Sequence, residues 1–268
     1  MKTIAILALL CSGVAARVDD KDAVTAAANK IADASSYAFK GETKVDSPLG
    51  GGVGAGAVPA YDGKFNKETG LHVTVGDRAE FFRKGDKNYV KMQQNDWAEL
   101  DKAQLPGGQG GQKGQRGALM GRMMLKNLKA PHEEAKEIAK GFKELKKEEK
   151  SDKVGEKDCA VYGGDLSEEG VKASPLGRMI GGLSALGGGA QNAEMSGKGR
   201  LWVDSDGNLV KYETSTRVAV EFQGNPIEFT MVRSTEITGV GKTKVEVPEG
   251  VQKLLSEKPA EKSEDKKP

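Results

Sequence analysis

The sequence predicts an α+β protein: a largely antiparallel sheet with helices covering one of its faces. Three observations predict it. Short runs of two-residue periodicity recur about every ten residues, as in a meander where each strand pairs with the next. Stretches of helical spacing divide those runs, giving the order helix, strands, helices, strand, helix, strands. Three long strands then close the chain, with no internal boundary or repeat before them.

The first residues address the chain. Lys2 supplies a positive start, Ile4 to Cys11 is an apolar run too short to span a bilayer, and Val14 and Ala16 stand at −3 and −1 of a cut before Arg17. Residues 1–16 therefore read as a signal peptide and the protein as exported, periplasmic or extracellular. A lipid anchor on Cys11 is disfavoured, because the residue before a lipidated cysteine is normally small and here it is Leu10. No later stretch reaches the ~18 apolar residues of a transmembrane helix. Residues 17–255 are expected to form one domain, and 256–268 a disordered charged tail without an apolar anchor after Leu255.

Val24, Ala27, Ala28 and Ile31 form one apolar helical stripe, and the period changes to two at Tyr37, Phe39, Gly41, Thr43 and Val45. After the glycines of 50–56, strands are expected over 58–65, 71–75, 79–84 and 88–92, with turn residues between them. Residues 105–117 read as a loop rich in Gly, Gln and Pro. Met120, Met123, Met124 and Leu128 return to helical spacing. Pro131 suits the first turn of a further helix running to 150, with Ala135, Ile138, Ala139, Phe142 and Leu145 buried and 146–150 as its charged end. A strand follows over 159–166. Ser174 and Pro175 read as N-cap and first residue of a helix carrying Leu176, Met179, Ile180 and Leu183. The long strands cover 194–204, 208–222 and 226–238, the first two joined through the hairpin signal Asp206-Gly207. A short strand over 243–247 and a helical turn over 251–255 finish the domain.

Catalysis finds little material. Lys and Arg number 41 against 39 Asp and Glu, a mixed-sign balance that argues against a nucleic-acid-binding domain. Beyond the signal, Cys159 is the lone cysteine, so no intramolecular disulfide forms, and its strand context reads as a buried inert thiol. His72 and His132 have no second ligand at metal-binding spacing. Gly182-Leu183-Ser184-Ala185-Leu186 lacks the second glycine of a nucleophile elbow, and the glycine run at 50–55 is followed by a strand where a dinucleotide site needs a helix. Asp204 to Asn208 reads as a hairpin turn, with its glycine misplaced for a calcium loop. No cofactor or metal is expected, and no enzyme.

What remains is apolar surface. A curved sheet with Phe39, Phe65, Phe81 or its neighbour Phe82, Val90, Trp202 or its neighbour Leu201, Tyr212 and Phe229 inside would form a concave trough. Helices bearing Met120, Met123, Leu176 and Met179 would lid it, and methionine adapts to variable chains. The bland alternative is a filled core.

Ser36-Tyr37-Ala38-Phe39-Lys40-Gly41 follows a short helix; later come Tyr89-Val90-Lys91 with Trp97, and Leu201-Trp202-Val203-Asp204 with Gly207-Asn208-Leu209-Val210-Lys211, before Val245-Glu246-Val247-Pro248. In these the chain resembles the lipoprotein-carrier superfamily of LolA, LolB and the mycobacterial LppX/LprG-type lipid binders. The resemblance spans most of residues 20–250. It implies an unclosed half-barrel, a strongly curved antiparallel sheet covered on its concave face by three or four short helices, holding lipid or lipoprotein acyl chains in the cell envelope. It implies no enzyme activity and no cofactor, and the family's functional arginine falls on no particular residue here. An envelope sensor or protein-interaction module on the same fold, meeting an envelope protein partner, is the other reading the sequence leaves open.

Overall fold

The computed structural model describes residues 19–46, 60–93, 95–104, 122, 125–126, 128–185, 193–222 and 225–256, with the side chains of 179, 182–185, 220–222 and 225–227 excepted. The expected signal peptide, the glycine-rich stretch 50–56, loop 105–117, Met120, Met123, Met124 and the charged tail after Ser256 lie outside the described residues.

The chain opens with α1 (Asp20–Asp33), capped by Asp19, whose carboxylate accepts from the Lys21 amide; its buried residues are the predicted stripe Val24, Ala27, Ala28 and Ile31. An antiparallel meander follows: β1 (Ser36–Asp46), β2 (Tyr61–Asn66), β3 (Gly70–Val75), β4 (Ala79–Lys84), β5 (Lys87–Met92) and β6 (Ala98–Glu99). Next come α2 (Pro131–Lys140), β7 (Lys146–Lys147), β8 (Asp152–Val154), β9 (Lys157–Asp165), α3 (Glu168–Ala173) and α4 (Pro175–Ala185). β10 (Glu194–Asp204), β11 (Leu209–Phe222), β12 (Asn225–Thr238) and α5 (Glu249–Ser256) complete the chain.

All twelve strands join one sheet in the order β6-β5-β4-β3-β2-β1-β12-β11-β10-β9-β7, with β8 also on β9. Every pairing is antiparallel, and β1 against β12 joins the two meanders, Ala38 facing Thr238 and Asp46 facing Thr230. The short end strands β6 and β7 do not meet, so the curved sheet stays an unclosed half-barrel. Helices α1 to α4 pack on its inner face and α5 on its outer face, where Val251 meets Phe82 and Tyr89. Among the described residues no helix is long and apolar enough to cross a membrane.

Two glycines set how tightly the inner face closes. Phe39 of β1 lies over its cross-strand partner Gly63, and Tyr61 of β2 lies over its partner Gly41. A Cβ on Gly63 would stand 2.1 Å from the Phe39 ring, and one on Gly41 1.8 Å from the Tyr61 ring. Each strand thus supplies a ring for the gap the other leaves.

Three sequence expectations need correction. The helix expected to run to residue 150 ends at Lys140, capped by Gly141, which lies against the backbone of Gly170 in α3. Phe142 leaves the helix to sit over Gly199 and bridge to Leu166, and Lys146–Lys147 joins β9 as a strand. Residues 243–247 pair with no strand; Val245 and Val247 pack beside α5 on the outer face. By contrast Ser174 caps α4 as expected, its hydroxyl accepting from the Gly177 amide at 3.1 Å, and Gly207 takes the hairpin turn at φ +74°.

Candidate functional site

Strand alternation puts successive rows of side chains on the inner face. One row runs Tyr61, Gly41, Thr235, Tyr212, Leu201 and Tyr162. Two residues along lie Thr43, Arg233, Thr214, Gly199 and Gly164. Beyond them come Val45, Met231, Thr216 and Gly197, and then Phe229, Val218 and Met195. The face therefore changes character along the strands, from aromatic through polar to apolar.

The aromatic end is filled. Phe39, Phe81, Val90 and Tyr212 are 4%, 1%, 1% and 1% exposed, packed in one core with the apolar stripes of α1 and α2. Phe65 is half-buried beside them, stacked on Tyr37 with ring centroids 5.1 Å apart and 4.6 Å from the His132 ring. Of the predicted trough residues, this end thus holds five in a close-packed core.

Trp202 is the residue the structure turns away. It lies on the outer face with Cys159, Val161 and Val210, its Nε1 donating to Asp152 at 3.0 Å. The Arg200 guanidinium and the Lys211 ammonium stand 5.0 and 4.8 Å from its ring. Leu201 takes the inward place, fully buried. Burial raises the Cys159 thiol above its ordinary pKa, and the thiol donates to the Lys157 carbonyl, which keeps it unreactive.

The polar row is held by a buried carboxylate that sequence reading missed. Glu134 of α2, its side chain 2% exposed, accepts from the Tyr212 hydroxyl at 2.8 Å and lies 3.3 Å from Arg178 of α4 and 3.5 Å from Arg233 of β12. Arg233 also donates through Nε to the Tyr61 hydroxyl at 2.9 Å, which in turn meets Thr235 at 2.8 Å. Burial works most strongly against the charge on Arg233, but Glu134, Tyr61 and Tyr212 around it together more than offset that and hold its pKa above the ordinary arginine value. Burial and Glu134 together push the Tyr212 phenol well up. One helix, the cleft-side helix α4 and two central strands meet on a single carboxylate.

Past this row lies open space. A cleft of about 1090 Å³ separates α3 and α4 from the first half of β10, with Leu166, Val171, Ile180, Ala193 and Met195 as its apolar wall. Leu176 and Phe229, both predicted site residues, pack with Ile180 and Val218 directly behind that wall. Met179 lies on α4, its side chain outside the described residues. Cations mark the rim: Lys143, Lys172, Arg178, Lys198 and Arg217, against the acids Asp165 and Glu168. The arrangement can hold a chain with an apolar body and a polar end; among the described residues it brings no nucleophile next to a base. Among the described residues no group of three acidic, histidine or cysteine side chains could hold a metal.

The histidines serve packing. His72 pairs with Glu80 at 3.2 Å on the outer face. His132, at the start of α2, is hydrogen-bonded through Nδ1 to the Tyr37 hydroxyl at 2.6 Å. Burial lowers its pKa from 6.5; Glu133 pulls it back, and Arg83, Lys136 and Lys67 push it further down, as does the positive end of the helix. A lowered cation pKa means that neutral His132 contributes stability above pH 6.5 that is lost as pH falls from there toward the folded value. The wild type should lose melting temperature as the pH drops below 6.5, with that part of the loss absent in His132→Gln. An imidazole NMR titration giving His132 an ordinary or raised pKa would refute this.

No family model and no curated protein sequence matches this chain. Among solved structures it is similar to the lipoprotein LppX of Mycobacterium tuberculosis, at 15% identity and a TM-score of 0.45, covering 85% of this chain and 98% of that one. It is also similar to LprF from Mycobacterium bovis, at 9% identity and a TM-score of 0.45 over 86% of this chain and 96% of that one. A DUF1329 family protein from Desulfovibrio piger follows at 8% identity and a TM-score of 0.26, over 85% and 93%. LppX is among the proteins the sequence resembles.

Proposed function

We propose that this chain is an exported, non-catalytic binding protein or carrier for the acyl chains of lipids or lipoproteins in the cell envelope. The observation that supports this is the cleft between α4 and β10. Its volume of about 1090 Å³ reaches the upper end of the roughly 300–1,000 Å³ typical of ligand sites. Its apolar wall is continuous with the cluster of Leu176, Ile180, Val218 and Phe229. Acyl chains gain about 0.8 kcal/mol per methylene moved from water to such a wall. The seat of binding is thus shifted from the aromatic end of the inner face, which the protein's own side chains fill, to its far end. Export is read from residues 1–16, and non-catalysis from two isolated histidines, one strand cysteine and no intact catalytic motif in the sequence.

The test is extraction of the purified protein followed by lipid mass spectrometry, with binding of a defined fatty acid measured by calorimetry. Acyl chains should co-purify, and Met195→Asp, on the half-buried cleft wall, should remove them without lowering the melting temperature by more than a few degrees. A ligand-free protein that fails to bind any added acyl chain would show the cleft to be something else.

A further inference from the structure

We infer that the cleft selects amphiphiles with an anionic headgroup, a carboxylate or a phosphate, received by Arg178, Lys143 and Lys198 while the chain lies on Ile180 and Met195. This rests on the acyl-binding reading and adds the chemistry of the other end of the ligand.

The charges at the cleft are not equally committed. Lys172 is tied to Glu168 and Arg217 to Glu228. Lys143 and Lys198, both exposed at the rim, make no ion pair among the described residues, and Asp165, the lining acid without an ion pair there, faces Lys198 across the β9–β10 ladder. Arg178 sits deeper, its side chain 19% exposed. Its guanidinium donates through Nη1 to the Ala173 carbonyl and meets two carboxylates at longer range, Glu134 at 3.3 Å and Glu137 at 3.6 Å, where charge-assisted bonds close to about 2.7–2.9 Å. A guanidinium carries five N–H donors, so with these contacts made it still has donors to offer an anion. Its backing by Glu134 fixes its position from the protein side, so the guanidinium is anchored where polar row and apolar wall meet. An anion there faces three cations, and the chain behind it faces the wall. A neutral or cationic headgroup would leave Lys143 and Lys198 unmatched.

The experiment compares dodecanoate, dodecyl phosphate, 1-dodecanol and inorganic phosphate on the full chain by calorimetry at low salt, below the aggregation threshold of each amphiphile. The two anionic amphiphiles should bind at least about tenfold more tightly than dodecanol, the scale of a charge-assisted hydrogen bond. Inorganic phosphate alone should bind far more weakly than dodecyl phosphate. In the double variant Lys143→Gln/Lys198→Gln, at surface positions, the preference for the anionic amphiphiles should collapse. Equal binding of dodecanoate and dodecanol overturns the headgroup selection and leaves the acyl reading standing. A preference untouched by the lysine neutralisation and by Arg178→Lys places the headgroup elsewhere and also overturns it. Inorganic phosphate binding as tightly as dodecyl phosphate makes this a plain anion site. Binding of none of the amphiphiles removes the acyl reading itself.

Discussion

Glu134→Ala is expected to cost about 3–5 kcal/mol of unfolding free energy, the range for removing one partner of a buried ion pair. The substitution leaves the guanidinium groups of Arg178 and Arg233, 19% and 14% exposed, without the carboxylate between them. It also strips the Tyr212 hydroxyl of its acceptor. Arg233 has nowhere to move, since Tyr61 stacks against it at 4.9 Å and Thr43 and Thr214 flank it in the row. The loss should show in urea as a lower midpoint with an unchanged slope. Because the cost is that of the stranded charge, Glu134→Leu with Arg233→Met should lose less than the two single variants together. Simple additivity in that cycle would mean the contact at 3.5 Å carries no coupling.

Phe39→Ala should cost a similar 3–5 kcal/mol, toward the upper end of the range for a large-to-small core change. The size of the effect depends on whether the surroundings can collapse into the space. Here the facing residue is Gly63, which has no side chain to shift, and the floor is sheet backbone held in register by β2. Gly63→Ala brings a Cβ to 2.1 Å from the ring and should itself cost about 1–3 kcal/mol through overpacking. Phe39→Leu combined with Gly63→Ala trades ring for methyl and should recover part of what either change loses alone. Thermal unfolding of the four proteins decides it: a combined loss equal to the sum would show that ring and glycine do not share one space.

Alternation made the strands legible, because one face of this sheet is buried and the other is partly wet. The stripe of α1, the Ser174 cap and the turn at Gly207 were legible for the same reason: each is settled by residues within a few positions of one another. The end of α2 was not. Ile138, Ala139, Phe142 and Leu145 keep helical spacing, and what stops the helix is contact between Gly141 and Gly170, a meeting the local pattern does not encode. Trp202 shows the same limit. In Leu201-Trp202-Val203 three consecutive apolar residues leave the parity of the strand open, and the choice falls to Cys159, Val161 and Val210, which roof the outer face. The inner face was legible in part. Leu176 and Phe229 were placed by pattern, whereas Arg233 was passed over although it interrupts an inward series of Phe229, Met231, Thr235 and Ile237. Glu134 sits four positions before Ile138 on the buried stripe of α2. A charged residue at an inward parity was the available signal in both.

The pairing of β1 with β12 gives the chain a particular order of completion. Residues 38–46 meet residues 230–238, so the first strand to be synthesised has one of its edges covered only by the last. Each meander is local and can zip by short turns, but the seam between them needs nearly the whole chain in hand and so carries the longest closure of the sheet. Until then two open ladder edges face solvent, each able to template a stranger. Folding of this sheet therefore finishes at its middle, where the two ends of the chain meet.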